Sequence, residues 1–177
     1  MKIAQLNPVK TSIFRFFTGS FRNTCNPAGL DCESAVRILI TRPNHRLGNQ
    51  LLLSPLIQEL EQKFPNARID LVVNGNLSLV LFSEFASVRN IFNLPKKPFK
   101  NLFKYVGLAI RMMINRYDLA IAANERSNSS KIFVRLSRSR NKIYNSGENI
   151  SGKPRHFGKI PVYDLLKFLE PSADLTN

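Results

Sequence analysis

The sequence predicts an α/β fold, a Rossmann-like open parallel sheet with helices on both faces. Residues 36–40 and 69–73 are short runs rich in β-branched side chains, which are typical of buried strands. Between them, apolar side chains recur at helical spacing over residues 52–64, with charged residues on the opposite face. A strand, a helix and a second strand form a βαβ unit, and right-handed crossovers join such units into an open parallel sheet.

The rest of the chain continues the alternation of strands and helices. Further strands are predicted at residues 88–92, 119–123 and, more weakly, 142–144. Further helices are predicted at residues 77–85, 102–114, 127–136 and 162–169. With the strand order 3-2-1-4-5, the first and fourth strands are neighbours at the point where the order reverses.

The composition indicates a globular protein with a large excess of positive charge. Of the 177 residues, 44% are apolar, and 26 lysine and arginine residues against 12 acidic ones give a net charge of +14. Residues 126–160 hold nine basic residues and one acidic residue. This balance favours a polyanionic partner such as nucleic acid, a phosphorylated glycan or an anionic membrane. We expect no nucleic acid, because the chain carries no recognised nucleic-acid-binding motif.

Several other classes of protein are disfavoured. No apolar run approaches the ~20 residues that span a bilayer, and the N-terminus lacks the apolar stretch of a secretory signal. The two cysteines, Cys25 and Cys32, are too few for a disulfide framework, and with His45 and His156 they match no zinc-binding pattern. We therefore expect a reduced, cytoplasmic protein without a metal site.

Residues 1–35 are predicted to form an N-terminal extension ahead of a folded domain at residues 36–170. The extension interleaves apolar and basic side chains, namely Ile13, Phe14, Phe16, Phe17 and Phe21 with Lys10, Arg15 and Arg22. A short amphipathic helix of this composition can lie on an anionic membrane surface. The alternatives are a helix that packs on its own domain and a mostly disordered arm.

Two polar segments are expected at the carboxyl ends of the first and fourth strands, where ligands bind in such sheets. Residues 42–49 have one glycine, whereas a dinucleotide fingerprint needs three, and no P-loop lysine follows. A helix N-terminus near Asn49 with flanking arginines suits an anionic or phosphorylated group. The candidate binding residues are Arg42, Arg46 and Gly48 in this segment, with Asn124, Arg126 and Ser127 in the segment at residues 124–130. The alternative is that the arginines are merely solvated.

These residues also resemble a known family. The segment LGNQLLLSPLIQELEQKFPNARIDLVV, residues 47–73, is similar to the start of the ADP-heptose:lipopolysaccharide heptosyltransferases, glycosyltransferase family 9. Shared features are the glycine at Gly48, the proline at Pro55 and the Phe-Pro-x-Ala sequence at residues 64–67. Residues 117–121 resemble the fourth strand of the family, and His156 with the helix after it resembles the end of its first domain.

The resemblance implies the N-terminal half of a GT-B architecture, which contains two Rossmann-like domains. In the family the first domain receives a phosphorylated inner-core lipid A glycan, and the second holds a nucleotide-sugar. Transfer inverts the anomeric centre and needs no metal or further cofactor. Residues 171–177 would begin the interdomain linker, so the donor domain is absent from the sequence. We expect a truncated or partial glycosyltransferase, or alternatively a non-catalytic glycan- or protein-binding module derived from that domain. The missing C-terminal domain, or a second copy of the chain, is also expected as a partner.

The candidate catalytic residues follow from the same resemblance. The family places an aspartate after the glycine as the base for the acceptor hydroxyl, whereas this sequence has Asn49. A carboxamide can orient a hydroxyl but has no useful basicity near neutral pH. The hypothesis is that His45, with an ordinary pKa of about 6.5, or Glu125 replaces the aspartate as base. The alternative is that Asn49 is normal in a branch of the family with another acceptor.

Two basic clusters are candidates for contact with lipid phosphates or the anionic inner leaflet of the membrane. Lys131, Arg135 and Arg138 are predicted on one helical face, by spacings of four and three residues. The other cluster comprises Lys96, Lys97, Lys100 and Lys104. A cytoplasmic protein with peripheral contact to the inner membrane is therefore expected, and a solvated basic face is the alternative.

Overall fold

A computed structural model of the chain contains one parallel sheet with helices on both faces. It describes residues 21, 23–24, 30, 36–44, 46–75, 77–95, 101–124, 127–144, 156 and 158–170. The five strands are β1 (Arg37–Arg42), β2 (Arg68–Asn74), β3 (Val88–Leu94), β4 (Arg116–Ala122) and β5 (Arg138–Ile143). All neighbouring pairs are parallel, and the order is β3-β2-β1-β4-β5. The predicted fold class and strand order are thereby confirmed.

The helices of the described ranges lie on both faces of this sheet. They are α1 (Leu47–Leu51), α2 (Ser54–Lys63), α3 (Leu77–Phe82), α4 (Leu102–Ile114), α5 (Asn128–Leu136) and α6 (Lys159–Leu169). Helices α2, α3 and α6 contribute to the apolar core on one face, and α4 and α5 contribute to the core on the other. This division is what right-handed crossovers produce when the chain runs outward from β1 to β3 and then returns to β4.

Alternate side chains of β1 pack into the two apolar cores, one on each face of the sheet. Ile38 and Ile40 are completely buried in the first core, and Leu39 is completely buried in the second. The central strand β1 is therefore apolar on both faces, as a strand of a parallel sheet covered on both sides must be. This is why its sequence lacks the polar alternation of a half-exposed strand.

The segment from the predicted helix N-terminus near Asn49 to residue 64 forms two helices rather than one. Helix α1 already begins at Leu47 and ends at Leu51, and α2 starts again at Ser54 with Pro55 in its first turn. Proline has no backbone N–H, so it cannot continue the hydrogen bonding of a helix that arrives from Leu51. Because α1 begins at Leu47, the predicted helix N-terminus near Asn49 was two residues late.

The predicted helical face of Lys131, Arg135 and Arg138 was also wrong in part. Helix α5 ends at Leu136, the backbone of Ser137 is extended, and Arg138 begins β5. Arg138 instead lies in the sheet, where it pairs with Arg116 of β4. Lys131 lies on α5 with its Nζ 5.7 Å from the ring centroid of Phe21.

Parts of the predicted extension pack beside β5. The ring of Phe21 lies 5.2 Å from that of Tyr144, and Thr24 forms an antiparallel bridge with Lys142. The remainder of the proposed membrane-binding segment, and residues 171–177, lie outside the described residues. Within the described ranges, no helix combines the length and the apolar character needed to cross a membrane.

Candidate functional site

The candidate site lies at the carboxyl edge of the sheet, between β1 and β4. These strands are neighbours, with Thr41 opposite Ala122, and the chain leaves them toward opposite faces of the sheet. Helix α1 follows β1, and α5 follows β4. Such a divergence leaves a crevice beyond the strand ends, which is the usual place for a ligand in this fold.

Two buried hydroxyl groups fix the end of β1 to the start of α5. Thr41 Oγ1 lies 2.8 Å from Ser130 Oγ, and the Ser130 hydroxyl donates to the backbone carbonyl of Thr41 at 2.6 Å. The backbone N–H of Ala123 also donates to the Thr41 carbonyl, at 3.0 Å. Both hydroxyl residues are completely buried. One wall of the crevice is therefore held rigidly by neutral hydrogen bonds.

Arg42 places a buried cation directly beyond this pair. Its Nη1 donates to the backbone carbonyl of Ala123, whereas its Nε is buried and has no hydrogen-bond partner. Only 5% of the residue is exposed, and desolvation lowers the pKa of the guanidinium below its ordinary value. The predicted anion-binding arginine is thus turned inward and still has one donor unused.

Gln50 connects α1 to the backbone just after β1 and to the last residue of β2. Its Nε2 donates to the carbonyl of Asn44 at 3.0 Å and to that of Asn74 at 2.6 Å. Its Oε1 has no partner, nor does Oδ1 of Asn74. Within the described residues, all buried side-chain polar atoms that lack a partner therefore lie at this edge of the sheet. Unpaired buried polar atoms are costly and deserve a functional explanation.

The remaining predicted residues of the first segment lie on the exposed side of α1. Arg46 is exposed, and its backbone N–H donates to Oδ1 of Asn44 at 3.0 Å. Gly48 is exposed, and a Cβ at this position would meet no atom within 4 Å. Asn49 is half-buried on the same short helix. Arg46 and Gly48 are therefore open to solvent at the rim of the candidate site, and Asn49 is partly covered.

The second segment has a mainly structural role where it is described. Ser127 caps α5, because its side chain accepts the Ser130 backbone N–H at 3.2 Å. The carbonyl of Asn124 accepts the N–H of Ser127 at 3.2 Å. The other predicted members, His45, Glu125 and Arg126, lie outside the described residues.

Sequence reasoning missed Thr41, Gln50 and Ser130. Thr41 directly follows the apolar run at residues 38–40, and Gln50 directly precedes the three leucines at residues 51–53, so both are polar residues at the ends of apolar segments. That exception to the pattern is the signal that could have identified them. Thr41 and Ser130 are 89 residues apart in the sequence, so no local pattern reveals that they pair.

Two cavities lie at the opposite, amino edge of the sheet. Their volumes are about 790 and 410 Å³, and Arg68 and Arg89 line both. The carboxyl ends of helices in a βαβ fold point toward this edge, and arginines there complement the negative ends of the helix dipoles. No group of three or more His, Cys, Asp or Glu side chains suited to a metal occurs among the described residues.

Solved structures with the same architecture were found by comparison of folds. E. coli heptosyltransferase WaaC with ADP superposes with a TM-score of 0.63 and 20% sequence identity over 80% of this chain and 50% of that chain. The chain therefore has a fold similar to that of about half of this heptosyltransferase structure. A glycosyltransferase family 9 structure from Veillonella parvula gives a TM-score of 0.59 and 18% identity over 84% of this chain and 44% of that chain.

A second E. coli WaaC structure, with ADP-2-deoxy-2-fluoro heptose, gives a TM-score of 0.54 and 19% identity, covering 80% of this chain and 50% of that chain. The chain thus spans about half the length of these structures. No protein-family profile matches the sequence, and no curated protein matches it. The resemblance drawn from residues 47–73 is confirmed at the level of the fold.

Proposed function

We propose that this chain is the acceptor-binding half of a glycosyltransferase of the heptosyltransferase type. The whole protein would transfer a sugar from a nucleotide-sugar to a phosphorylated lipopolysaccharide core-type acceptor, with inversion and without a metal ion. The likeness to WaaC, which has been solved with ADP and with an ADP-heptose analogue, supports the reaction class. Donor binding is assigned to the other half of the two-domain architecture.

The observation that carries the proposal is the unused polarity of the carboxyl edge. Arg42 Nε and Gln50 Oε1 are a buried donor and a buried acceptor, both without partners. A glycan phosphate accepts from a guanidinium, and a sugar hydroxyl donates to an amide oxygen. A phosphorylated sugar therefore offers both of the complementary groups. The exposed side chain of Arg46 at the rim adds a second cation for the same ligand.

In the proposed reaction, an acceptor hydroxyl oxygen forms a bond to the anomeric carbon of the donor. The bond from that carbon to the diphosphate oxygen breaks, and the nucleoside diphosphate leaves with the electron pair. The hydroxyl proton passes to a base, which Asn49 cannot be, because a carboxamide is not basic near neutral pH. Asn49 orients the hydroxyl, and His45 or Glu125 takes the proton.

A second candidate function is a non-catalytic glycan- or protein-binding module. The observation that favours it is Asn49 itself, since a domain that only holds its ligand needs no base at this position. Both functions share the same binding crevice. They differ in whether turnover occurs once a donor-binding half is present.

Ligand binding is tested first, by calorimetric titration of the 177-residue chain with a phosphorylated lipopolysaccharide core oligosaccharide. We expect Arg46→Gln to weaken binding about tenfold, because it removes a charged hydrogen bond to phosphate. The matched control is Arg89→Gln, which removes the same charge from the opposite edge and should leave the affinity unchanged. Equal losses in both variants, or equal binding of the dephosphorylated oligosaccharide, would contradict the proposed site.

Turnover is tested on the same domain joined to a donor-binding half. We expect one of His45→Ala and Glu125→Gln to lower kcat by about a hundredfold or more, as loss of a general base does. Asn49→Asp should restore part of that rate in the impaired variant. If glycan binds but none of these proteins transfers sugar, the binding-module function replaces the catalytic one.

A further inference from the structure

Helix α4 presents a continuous apolar stripe to solvent. The stripe consists of Phe103, Val106, Ile110, Met113 and Ile114, with exposures of 94%, 45%, 52%, 36% and 69%. Spacings of three and four residues place these side chains on one side of the helix along its whole length of about 20 Å. Exposed phenylalanine and isoleucine side chains in such an array mark an interaction surface rather than the scatter found on ordinary surfaces.

The opposite side of α4 already packs against the sheet. Met112 is buried in the second core, and Tyr105, Leu108 and Ala109 pack against the same cluster. The ring of Tyr105 lies 5.6 Å from that of Phe133 on α5. The helix therefore has two apolar sides, and the protein's own core uses only one of them.

Basic residues border the α4 stripe, and the stretch of sequence that contains it has no acidic residue. Lys104 and Arg111 are both exposed, and neither makes an ion pair within the described part of the chain. Around the helix they occupy the arc next to the stripe, given a turn of 3.6 residues. The sequence from residue 85 to residue 117 contains seven basic residues and no acidic ones.

We propose that the α4 stripe docks on an anionic phospholipid bilayer, with the helix lying in the plane of the surface. The apolar side chains would enter the boundary between headgroups and acyl chains, and Lys104 and Arg111 would contact lipid phosphates. With 13 residues, α4 is too short to cross the bilayer. A second copy fits the surface less well, because a symmetric contact would bring together the basic borders of two chains that each carry +14.

Helix α3 provides a matched comparison within the same molecule. Leu77, Leu79 and Val80 are exposed there by 56%, 48% and 71%. Residues 69–88 around them contain no basic residue and two acidic ones. The charge complementarity that favours an anionic bilayer at α4 is therefore missing at α3.

The experiment is sedimentation of the 177-residue chain with vesicles of phosphatidylglycerol and phosphatidylethanolamine, or of phosphatidylcholine alone. We expect the partition coefficient for anionic vesicles to fall roughly tenfold or more in the triple variant Phe103→Ser, Ile110→Ser and Ile114→Ser. The control triple variant, Leu77→Ser, Leu79→Ser and Val80→Ser, should bind as the parent does. Lys104→Glu with Arg111→Glu should weaken binding to anionic vesicles about as strongly.

Three results would overturn the proposal. The first is equal binding to neutral and anionic vesicles, or to none. The second is binding that is lost in Phe16→Ser with Phe17→Ser but kept in the α4 variants, which would assign the lipid contact to the N-terminal segment. The third is a change of oligomeric mass, without a change of vesicle binding, in the α4 variants.

Hydrogen exchange supplies a second readout that needs no substitution. Vesicle binding should slow exchange of the α4 amides in the unmodified chain and leave those of α3 unchanged. Exchange that slows at α3 as much as at α4 would contradict the proposal. Neither measurement involves a glycan or a sugar donor, so this proposal stands or fails separately from the proposed function.

Discussion

Polar side chains are buried at both edges of the sheet, but some of their atoms at the carboxyl edge lack a hydrogen-bond partner. At the amino edge, Asp70 is buried and accepts hydrogen bonds from Asn90 Nδ2 at 2.8 Å and from the hydroxyl of Tyr117 at 2.9 Å, and its Oδ2 lies 3.6 Å from Nη2 of Arg37. At the carboxyl edge, Arg42 and Gln50 keep buried atoms without a partner.

The contrast separates a polar network that holds strands together from one suited to a ligand. Asp70 joins β2 to groups on β1, β3 and β4, and each of its oxygens is used. A fully satisfied buried network specifies a unique core, whereas a partly satisfied one carries a cost that a ligand can offset. Substitutions in the Asp70 network should therefore lower stability, and substitutions of Arg42 or Gln50 should lower ligand binding.

The largest effect is expected at the amino edge, for Asp70→Ala. The change removes the acceptor of two hydrogen bonds, one of them from the Tyr117 hydroxyl, and removes the ion-pair partner of the Arg37 guanidinium. We expect the free energy of unfolding to fall by about 3 kcal/mol, since breaking a buried charged network is strongly destabilising. Urea denaturation measures it. A loss below about 0.5 kcal/mol would remove the distinction between the two edges.

A smaller effect on stability is expected at the carboxyl edge, for Arg42→Met. The variant loses one hydrogen bond to the Ala123 carbonyl but also removes a desolvated charge, so the free energy of unfolding should change by less than about 1 kcal/mol. Binding of the phosphorylated oligosaccharide should fall by about tenfold or more. Denaturation and calorimetry on the same samples make the comparison. Large destabilisation with retained binding would make Arg42 a structural residue.

The smallest effect concerns alkaline pH at the amino edge. Burial, with the adjacent Asp70 carboxylate as a second cause, raises the pKa of Tyr117 above its ordinary value of 10.0. The unfolded chain then loses this proton at a lower pH than the folded protein does. The stabilisation is complete below pH 10 and declines as the pH rises further.

Tyr117→Phe provides the test of this linkage. The variant removes the titrating hydroxyl, so the fall in stability between about pH 9.5 and 11.5 should be shallower than in the parent. Burial also raises the pKa of Tyr105 and of Tyr144, so a residual slope is expected. Urea unfolding at several pH values gives the two curves. Parallel curves would show that the Tyr117 proton is not linked to folding.

The sequence predictions were more accurate for the strands that are more deeply buried. Strand β1 and strand β2 were located to within two residues, because both are apolar runs in a sheet covered on both faces. Strand β5 was predicted only at residues 142–144, whereas it begins at Arg138. It pairs with β4 and, at Lys142, with Thr24, and it contains mostly polar residues, so its formation depends on these partners rather than on its own composition.

The candidate site was predictable in location but not in detail. Topology alone placed residues 42–49 and 124–130 at one edge, because the carboxyl ends of β1 and β4 must meet there. The inward orientation of Arg42 was not predictable. It depends on a hydrogen bond to Ala123, 81 residues away, and a local pattern cannot report such a contact.

By itself the sequence determined the order of the strands and helices, the edge that holds the candidate site and the resemblance to family 9 glycosyltransferases. The tertiary structure decided which polar atoms have partners and which apolar side chains remain exposed. Helix α4 is the clearest case, since its sequence is apolar on most sides and was predicted correctly at residues 102–114. Periodicity shows that a side chain is apolar, but only packing against β3, β4 and α5 decides which side of the helix is covered.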